Sequence, residues 1–243
     1  MARDESLKGK TVLVTGATGG LGRIVVKRLL ESGADVAAVY RDEARFQRLL
    51  EFVGDGEGRL AGFKADVTLG PEVRTLVDGV LARYGRVDAL LNLVGTFRGG
   101  ADIAGTAEED WDFLMRTNLK SAFLCSRAVL PAMAKAGSGR IVNVAARPAV
   151  EKKGRAKAGA YAVSKAGVVL LTETIAEEFR RSGITAHCIM PGTIDTPLNR
   201  VAIPDGDYSK WTDAADIAAV LLFLVSDASA VTSGAVIPVY GKS

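Results

Sequence analysis

TVLVTGATGGLG, residues 11–22, decides the fold of this 243-residue chain. Residues 12–14 are a short apolar run of the kind that forms a strand covered on both faces, and apolar residues recur at helical spacing over 24–30. Between them lie Gly16, Gly19, Gly20 and Gly22. A loop without side chains lets the backbone approach a phosphate, and the amides and dipole of a helix N-terminus attract negative charge. The stretch predicts the pyrophosphate-binding turn of a dinucleotide site, with an ordinary strand-to-helix turn as the alternative.

The composition suits one soluble α/β domain, since the chain is 48% hydrophobic and 24% charged and long enough to enclose a substantial core. We therefore expect a single domain over residues 1–243. A formal net charge of +3, from 31 basic and 28 acidic residues without a long run of one sign, predicts no nucleic-acid or membrane partner. No apolar stretch is long enough to cross a bilayer, and the polar N-terminus lacks the apolar core of a secretory leader, so the expected location is cytoplasmic.

The two cysteines and the single histidine are expected to be structural. Cys125 and Cys188 lie in apolar contexts without metal-ligand spacing, which predicts buried free thiols and no metal site. His187 lies in the strand-like stretch ITAHCIM, where packing in the sheet is favoured over catalysis.

Strand-like and helix-like segments alternate through the whole chain. After the first helix, strands are predicted at 34–40, 60–65, 87–94, 139–146, 184–190 and 235–239, and helices at 43–52, 71–84, 108–135, 158–179 and 213–226. Such alternation predicts right-handed βαβ crossovers and therefore the doubly wound parallel sheet of a Rossmann fold.

The end of the second predicted strand bears on the choice of cofactor, because in such a fold it lies beside the adenosine ribose. A carboxylate there suits the ribose hydroxyls of NAD, whereas a 2′-phosphate requires a cation. Tyr40 and Arg41 occupy this position, and arginine matches the charge and geometry of phosphate. We therefore predict NADPH in preference to NADH. The neighbouring Asp42 weakens this prediction. The alternative is that Arg41 is a solvated side chain at the start of a helix and binds no phosphate.

Tyr161 and Lys165 are four residues apart in a predicted helix and therefore share one face. A phenol ordinarily titrates near pH 10, and a nearby ammonium lowers its pKa by roughly 1–3 units. Tyr161 is thereby predicted to exchange a proton with a carbonyl or alcohol oxygen near neutral pH. Asn118, a polar residue among apolar neighbours, is predicted to be hydrogen-bonded.

Several motifs in this order resemble the short-chain dehydrogenase/reductase family, and the resemblance covers nearly the whole chain. They are the TGxxxGxG spacing from Thr15, Asp66-Val67, the turn at 92–95, Asn118, Tyr161 with Lys165, and Pro191-Gly192. The resemblance implies that Tyr161 is the acid–base, that Lys165 lowers its pKa and holds the nicotinamide ribose, and that Asn118 interrupts its helix and holds a relay water. It also implies a homodimer or homotetramer. The implied cofactor contacts are Gly16, Thr18, Gly19, Gly20, Leu21, Gly22, Tyr40, Arg41, Asp66, Val67, Asn92, Val94, Gly95, Tyr161, Lys165, Pro191, Gly192, Ile194 and Thr196.

The chain departs from the family at the end of the fifth predicted strand, where a serine usually contacts the substrate oxygen. Residues 144–147 read Val-Ala-Ala-Arg, without a hydroxyl. The loss of one such donor weakens oxyanion-type stabilisation, often by about 3 kcal/mol. Ser138 precedes the strand and Ser164 lies inside the Tyr161–Lys165 segment, so neither replaces the serine convincingly.

Dihydropteridine reductases, a branch that keeps the tyrosine and lysine without the serine, are similar to this chain at two places. Residues 195–200, 203–205 and 208–212 resemble the branch's segment after the sixth strand, and residues 95–100 resemble its loop after the fourth. The resemblance implies a flat, conjugated or quinonoid acceptor, on which an aromatic side chain would stack. This chain differs from that branch in one respect. Dihydropteridine reductases favour NADH and have an acid after the second strand, where this chain has Tyr40 and Arg41. The implied substrate contacts are Phe97, Ala146, Arg147 and Trp211.

Other interpretations stay open. An ordinary ketone or 3-oxoacyl reductase would replace the missing serine by a water or a loop group, and a vestigial site would make the protein a non-catalytic dinucleotide-binding sensor. Retention of the whole proton relay argues against the sensor. The basic loop at 151–157 is either a solvated flap or a rim that attracts an acidic substrate, with Arg98, Arg147 and Arg200 nearby.

Overall fold

The computed structural model describes residues 6–54 and 56–242. Within them the strands are β1 (Thr11–Thr15), β2 (Asp35–Tyr40), β3 (Leu60–Lys64), β4 (Ala89–Asn92), β5 (Gly139–Val144), β6 (Ile184–Pro191), β7 (Ile194–Asp195), β8 (Thr212–Asp213) and β9 (Val236–Val239). Seven of them form one sheet in the order β3-β2-β1-β4-β5-β6-β9, in which every neighbouring pair is parallel. β7 and β8 form a separate pair.

Helices cover both faces of the main sheet. They are α1 (Gly20–Glu31), α2 (Glu43–Val53), α3 (Gly70–Tyr84), α4 (Glu108–Leu114), α5 (Ser121–Ala136), α6 (Gly159–Glu178), α7 (Pro197–Ala202) and α8 (Ala214–Val225). This arrangement confirms the predicted doubly wound parallel sheet. The strand order reverses between β1 and β4, so a ligand crevice opens at the carboxyl ends of those strands.

The position of β1 explains why the deciding stretch is continuously apolar. All five of its residues are buried. Val12 and Val14 pack in the core cluster that includes residues of α1 and α8, whereas Leu13 packs in the cluster that includes residues of α3 and α5. Because successive side chains of a strand point to opposite faces, a strand covered on both sides has no polar face.

The long helix predicted at 108–135 is divided in the structure. α4 ends at Leu114, a π-helical turn covers Met115–Lys120, and α5 follows directly. Such wider turns frequently mark functional sites. Asn118 lies inside this turn, so the expected interruption of the helix is confirmed.

The segment between β6 and α8 contains elements that the sequence does not predict. α7 has only six residues, and β7 and β8 have two each. Elements this short bury too few side chains to leave a periodic pattern. The strands predicted at 87–94 and 139–146 are shorter in the structure, because the ladder between β4 and β5 ends at Asn92 and that between β5 and β6 ends at Val144.

The histidine and the cysteines are structural, as predicted. His187 is 1% exposed, its Nε2 lies 3.0 Å from the carbonyl oxygen of Thr232, and burial lowers its pKa. Cys125 and Cys188 are buried and free, and burial raises their pKa values to about 12 and about 11. The described residues contain no acidic, cysteine or histidine cluster that could hold a metal ion, and none of their helices is long and apolar enough to span a membrane.

Candidate active site

The glycine turn after β1 has no room for side chains. A Cβ on Gly22 would lie 2.1 Å from the carbonyl oxygen of Gly16, and a Cβ on Gly20 would lie 2.7 Å from Cγ2 of Thr196. Gly16 adopts a left-handed φ of 66°. α1 begins without a side-chain cap and without an acidic residue in its first turn, so its first amides can bind an anion. This cradle fits the pyrophosphate of a dinucleotide.

Thr196 brings the segment after β6 against the glycine turn. Its side chain adjoins Gly20, and its hydroxyl accepts the amide of Asn199 over 3.3 Å, which caps α7. The same segment therefore borders the cofactor turn and positions a helix beside the crevice. It carries the predicted nicotinamide contacts Pro191, Gly192, Ile194 and Thr196.

Arg41 and Asp66, predicted on the adenosine side, form an ion pair. The guanidinium lies 3.4 Å from Oδ2 of Asp66, and the arginine side chain is 73% exposed. Oδ1 of Asp66 accepts the amide and the hydroxyl of Thr68 over 2.9 and 2.8 Å. Burial would raise the pKa of Asp66, but the bonds from Thr68 and the charge of Arg41 outweigh it and lower that pKa. An exposed guanidinium after β2 could hold a ribose phosphate.

Tyr40 is engaged with α2. Its ring stacks on Phe46 with centroids 4.4 Å apart and planes at 7°. A hydrogen bond to Glu43, with burial adding to it, raises the pKa of Tyr40. Arg41 rather than Tyr40 therefore presents its polar group to solvent at this end of the crevice.

Asn92 holds the sheet together below the crevice. Its Nδ2 donates to Oδ1 of Asn143 over 2.8 Å and to the Ser126 hydroxyl over 3.3 Å. The Nδ2 group of Asn92 therefore joins β4 to β5 and α5. Gly95, three residues on, leaves space for Lys165, since a Cβ there would lie 2.9 Å from its Nζ.

Tyr161 and Lys165 lie one turn apart near the start of α6. Lys165 is 4% exposed, and its Nζ donates to the carbonyl oxygen of Val144 over 2.8 Å. Burial lowers the pKa of Lys165 to about 8 and raises the pKa of the partly exposed Tyr161 to about 12. The prediction that Lys165 lowers the tyrosine pKa is therefore wrong for the protein by itself. The ammonium is directed to Val144, and desolvation of the phenolate dominates.

Asn118 is 1% exposed and forms the hydrogen bonds that its sequence context predicts. Its Oδ1 accepts the amide of Thr96 over 2.8 Å, and its Nδ2 donates to the carbonyl oxygen of Thr96 and to the Ser164 hydroxyl, both over 3.0 Å. The Ser164 hydroxyl in turn donates to the carbonyl oxygen of Tyr161 over 2.7 Å. The network ties the π turn and the loop after β4 to α6.

Phe97 packs on Tyr161 while most of its side chain stays exposed. The two rings meet edge to face with centroids 5.0 Å apart and planes at 77°, and Phe97 is 62% exposed. An exposed aromatic ring beside the predicted acid–base residue suits contact with a ligand.

Ala146, at the position of the family's serine, is 7% exposed in the turn after β5. Ser138 directly precedes the start of β5, at the opposite end of that strand. Ser164 is fully buried in the Asn118 network. Neither serine therefore supplies the missing hydroxyl.

Arg147 and Trp211, predicted to contact substrate, have side chains engaged elsewhere. Nε of Arg147 donates to Oε2 of Glu151 over 2.7 Å, and its guanidinium carbon lies 4.4 Å from the ring centroid of Tyr240. Trp211 packs edge to face on Tyr208 with centroids 4.7 Å apart. A direct substrate contact by either side chain stays a prediction. The sequence offered no signal for Tyr240, which follows β9 and reaches back to the loop after β5.

The arrangement has the parts of a hydride-transfer site. A turn that fits a dinucleotide pyrophosphate, a phenol and a buried ammonium all lie at the carboxyl edge of one sheet. Because Tyr161 remains protonated at neutral pH, it can act as an acid toward a substrate oxygen.

Comparison with known proteins agrees with this arrangement. The model of the short chain dehydrogenase family matches residues 10–206. Mouse (3R)-3-hydroxyacyl-CoA dehydrogenase is 35% identical over 258 aligned positions, which cover 99% of this chain and 98% of that one. A short-chain dehydrogenase/reductase from Burkholderia xenovorans superposes with a TM-score of 0.91 at 34% identity, covering 98% of this chain and 97% of that chain. A single-substitution variant of actinorhodin polyketide ketoreductase with NADPH superposes with a TM-score of 0.87 at 31% identity, covering 96% of each chain.

Proposed function

This chain belongs to the short-chain dehydrogenase family and is an NAD(P)-dependent oxidoreductase, and from that premise we propose that it interconverts a ketone and a secondary alcohol on an acyl-type substrate. The observation that carries the proposal is the Tyr161–Lys165 pair beside the glycine turn. Mouse (3R)-3-hydroxyacyl-CoA dehydrogenase, at 35% identity over nearly both chains, supports a substrate of this class.

The glycine turn and the segment ending at Thr196 would hold the cofactor. When bound, the nicotinamide dinucleotide supplies or takes up the hydride. We propose NADP(H) in preference to NAD(H), because Arg41 is exposed at the end of β2 and the chain offers no carboxylate at position 40 or 41. The NADPH complex of the actinorhodin ketoreductase supports this preference.

Tyr161 would give its proton to the substrate oxygen during reduction and recover it during oxidation. Lys165 would hold the nicotinamide ribose and place its charge below the phenol as oxygen charge develops. Asn118 would act by holding Thr96, and with it the neighbouring Phe97, in place. Its role in a water relay stays part of this proposal.

A conjugated or quinonoid acceptor is the second candidate, and a specific observation favours it. Ala146 offers no hydroxyl to an oxyanion, and the exposed Phe97 ring at Tyr161 suits a flat molecule. An acceptor that is already electrophilic needs less stabilisation of developing charge. The similarity to dihydropteridine reductases at 95–100 and 195–212 supports this candidate.

A panel of acceptors separates the two candidates. We would follow oxidation of NADPH and NADH in the presence of a 3-oxobutanoyl thioester, a quinonoid dihydropterin and a simple quinone, with Tyr161→Phe as the control for chemistry at this site. Reduction of the thioester, lost in Tyr161→Phe, supports the first candidate. Reduction of only the pterin or the quinone supports the second, and tight cofactor binding without turnover of any acceptor favours a sensor.

Ala146→Ser adds a second discriminator. Restoring the hydroxyl should raise kcat for the ketone by roughly tenfold or more if oxyanion stabilisation limits that reaction. It should leave the rate with a quinonoid acceptor unchanged.

We also propose that the protein forms a homodimer or homotetramer. Phe123 on α5 and Leu170 on α6 are 41% and 64% exposed, and burying them between copies would remove apolar surface from water. Sedimentation velocity would test this assembly. A cytoplasmic location stays a prediction from the sequence.

A further inference from the structure

We propose that the lysines of the loop after β5, Lys152, Lys153 and Lys157, form a basic rim that binds a phosphate on the arm of the substrate, away from its reacting carbonyl. The inference rests on the proposed function, since the rim lies on the loop that leads into α6, which carries Tyr161. These three residues are the basic rim.

Two loops lie beside Tyr161. Residues 96–106 follow β4 and residues 147–157 follow β5, and these strands are neighbours in the sheet. The amide of Gly100 donates to the carbonyl oxygen of Lys157 over 2.7 Å, which joins the two loops. Phe97 of the first loop contacts Tyr161. A substrate with its carbonyl at Tyr161 would therefore lie close to the second loop.

The second loop is a built structure. Arg155 donates from its guanidinium to the carbonyl oxygens of Pro148 and Ala149 over 2.8 and 3.1 Å. Its own backbone makes two successive turns, with the amide donating to the carbonyl oxygen of Lys152 and the carbonyl accepting from the amide of Ala158. These bonds hold the backbone that carries the lysines, so less entropy is lost on binding than with a free flap.

The two loops have a large excess of positive charge. The basic side chains are Arg98, Arg147, Lys152, Lys153, Arg155 and Lys157, and the acidic ones are Asp102 and Glu151. Asp102 accepts the amide of Gly105. The rim lysines are exposed, and none of them forms an ion pair within the residues that the structure describes, although the charge of Lys153 contributes to lowering the pKa of Glu151.

The cations that remain available are lysines, and their number favours a doubly charged phosphate over a singly charged carboxylate. The arginines of these loops are engaged. Arg98 pairs with Asp110, Arg147 pairs with Glu151, and Arg155 bonds to backbone carbonyls. Lysines act as point charges that bind phosphate, and a doubly charged phosphate is attracted by several of them at once.

Lys157 adds a backbone observation. Its φ of 57° is the only left-handed φ among non-glycine residues of the described chain. This conformation costs a lysine on the order of 1–2 kcal/mol, and such strain collects where surrounding structure holds it for a purpose. Here it accompanies the hydrogen bond from the Gly100 amide to the Lys157 carbonyl oxygen, which joins the two loops just before α6.

A matched pair of ligands tests the rim. The probes are 4′-phosphopantetheine and pantetheine, which differ by one phosphate, titrated calorimetrically at low salt with saturating NADP⁺ present. We expect the phosphorylated compound to bind roughly tenfold more tightly to the wild type, with an advantage that shrinks at high salt. In Lys152→Gln/Lys153→Gln the two compounds should bind within about twofold of each other. Lys27→Gln/Lys135→Gln removes the same charge elsewhere and should retain the tighter binding of the phosphorylated compound.

Equal affinity of the two probes for the wild type would overturn the proposal, as would an advantage that survives in Lys152→Gln/Lys153→Gln. The proposed function is tested separately, by turnover of the uncharged 3-oxobutanoyl N-acetylcysteamine thioester, which has no phosphate for the rim. Thermal melts of both double variants establish that the fold is retained.

Discussion

The ammonium of Lys165 donates to the carbonyl oxygen of Val144 over 2.8 Å, at the point where β5 ends. The lysine is 4% exposed, and burial lowers its pKa to about 8. The carbonyl of a central strand thus partly offsets the cost of a buried charge. Under the proposed function, the stability of the protein and its activity are therefore opposed at this residue.

Replacing Lys165 by methionine should stabilise the protein without cofactor. Because the folded pKa of about 8 lies below the ordinary 10.5, the unfolded chain holds this proton more tightly, and burial of the charge costs stability at every pH below 8. We expect Lys165→Met to gain about 1–3 kcal/mol at pH 7 in urea unfolding and to lose turnover.

The gain should depend on pH in one direction. Between pH 8 and 10.5 the wild type loses the buried charge and gains stability. The difference in free energy of unfolding between Lys165→Met and the wild type should therefore narrow. Lys135→Met, at an exposed position, serves as the control. A stability difference that stays constant from pH 7 to pH 10.5 would show that Lys165 is not held as a buried ammonium.

Tyr161 should ionise only at high pH when cofactor is absent. Burial raises its pKa to about 12, so subtracting the ultraviolet titration of Tyr161→Phe from that of the wild type should show no phenolate below about pH 11. A difference step near neutral pH would contradict the direction found here. It would restore the expectation that Lys165 lowers the tyrosine pKa.

Arg41 should discriminate between the two cofactors. Arg41→Gln removes an exposed guanidinium after β2, so the Kd for NADPH should rise roughly 10- to 100-fold while that for NADH changes little. Fluorescence titration measures both constants, and Arg45→Gln, one turn into α2, is the matched control. Equal weakening of both cofactors by Arg41→Gln would argue against a role in selectivity.

Gly22 and Gly79 should respond to alanine with opposite signs. A Cβ on Gly22 meets the carbonyl oxygen of Gly16 at 2.1 Å, whereas a Cβ on Gly79 makes an ordinary 3.4 Å contact with Phe63. We expect Gly22→Ala to lose about 2 kcal/mol or more and to bind NADPH poorly, and Gly79→Ala in α3 to gain about 0.5–1 kcal/mol. Chemical unfolding of both variants checks this. A tolerated Gly22→Ala would mean that the turn can widen.

The fold and the candidate site residues could be predicted from the sequence because their signals are local. The apolar run of β1, the glycines after it and the spacing of Tyr161 and Lys165 each lie within one turn or one strand. The elements between β6 and α8 left no such signal, because α7 and the pair of β7 and β8 are too short to show a period.

Contacts across the chain were beyond the sequence for a different reason. Asn118 stood out as a polar residue in an apolar helix, but its partners Thr96 and Ser164 are 22 and 46 positions away. Nothing in the sequence indicates that Ser164 bonds to Asn118. Likewise, the sequence predicts that Arg147 faces a substrate. Its ion pair with Glu151 is local, but its stacking on Tyr240 depends on where the C-terminal strand ends.

By itself, the sequence determined the parallel sheet and the glycine turn, because hydrophobic period and backbone freedom are properties of neighbouring residues. The assignment of Tyr161 and Lys165 as an acid–base pair stays a prediction. Only the tertiary structure decided the charge state of that pair. The pKa of Tyr161 depends on the balance between desolvation and the charge of Lys165, and packing determines that balance by burying both groups and turning the ammonium to Val144.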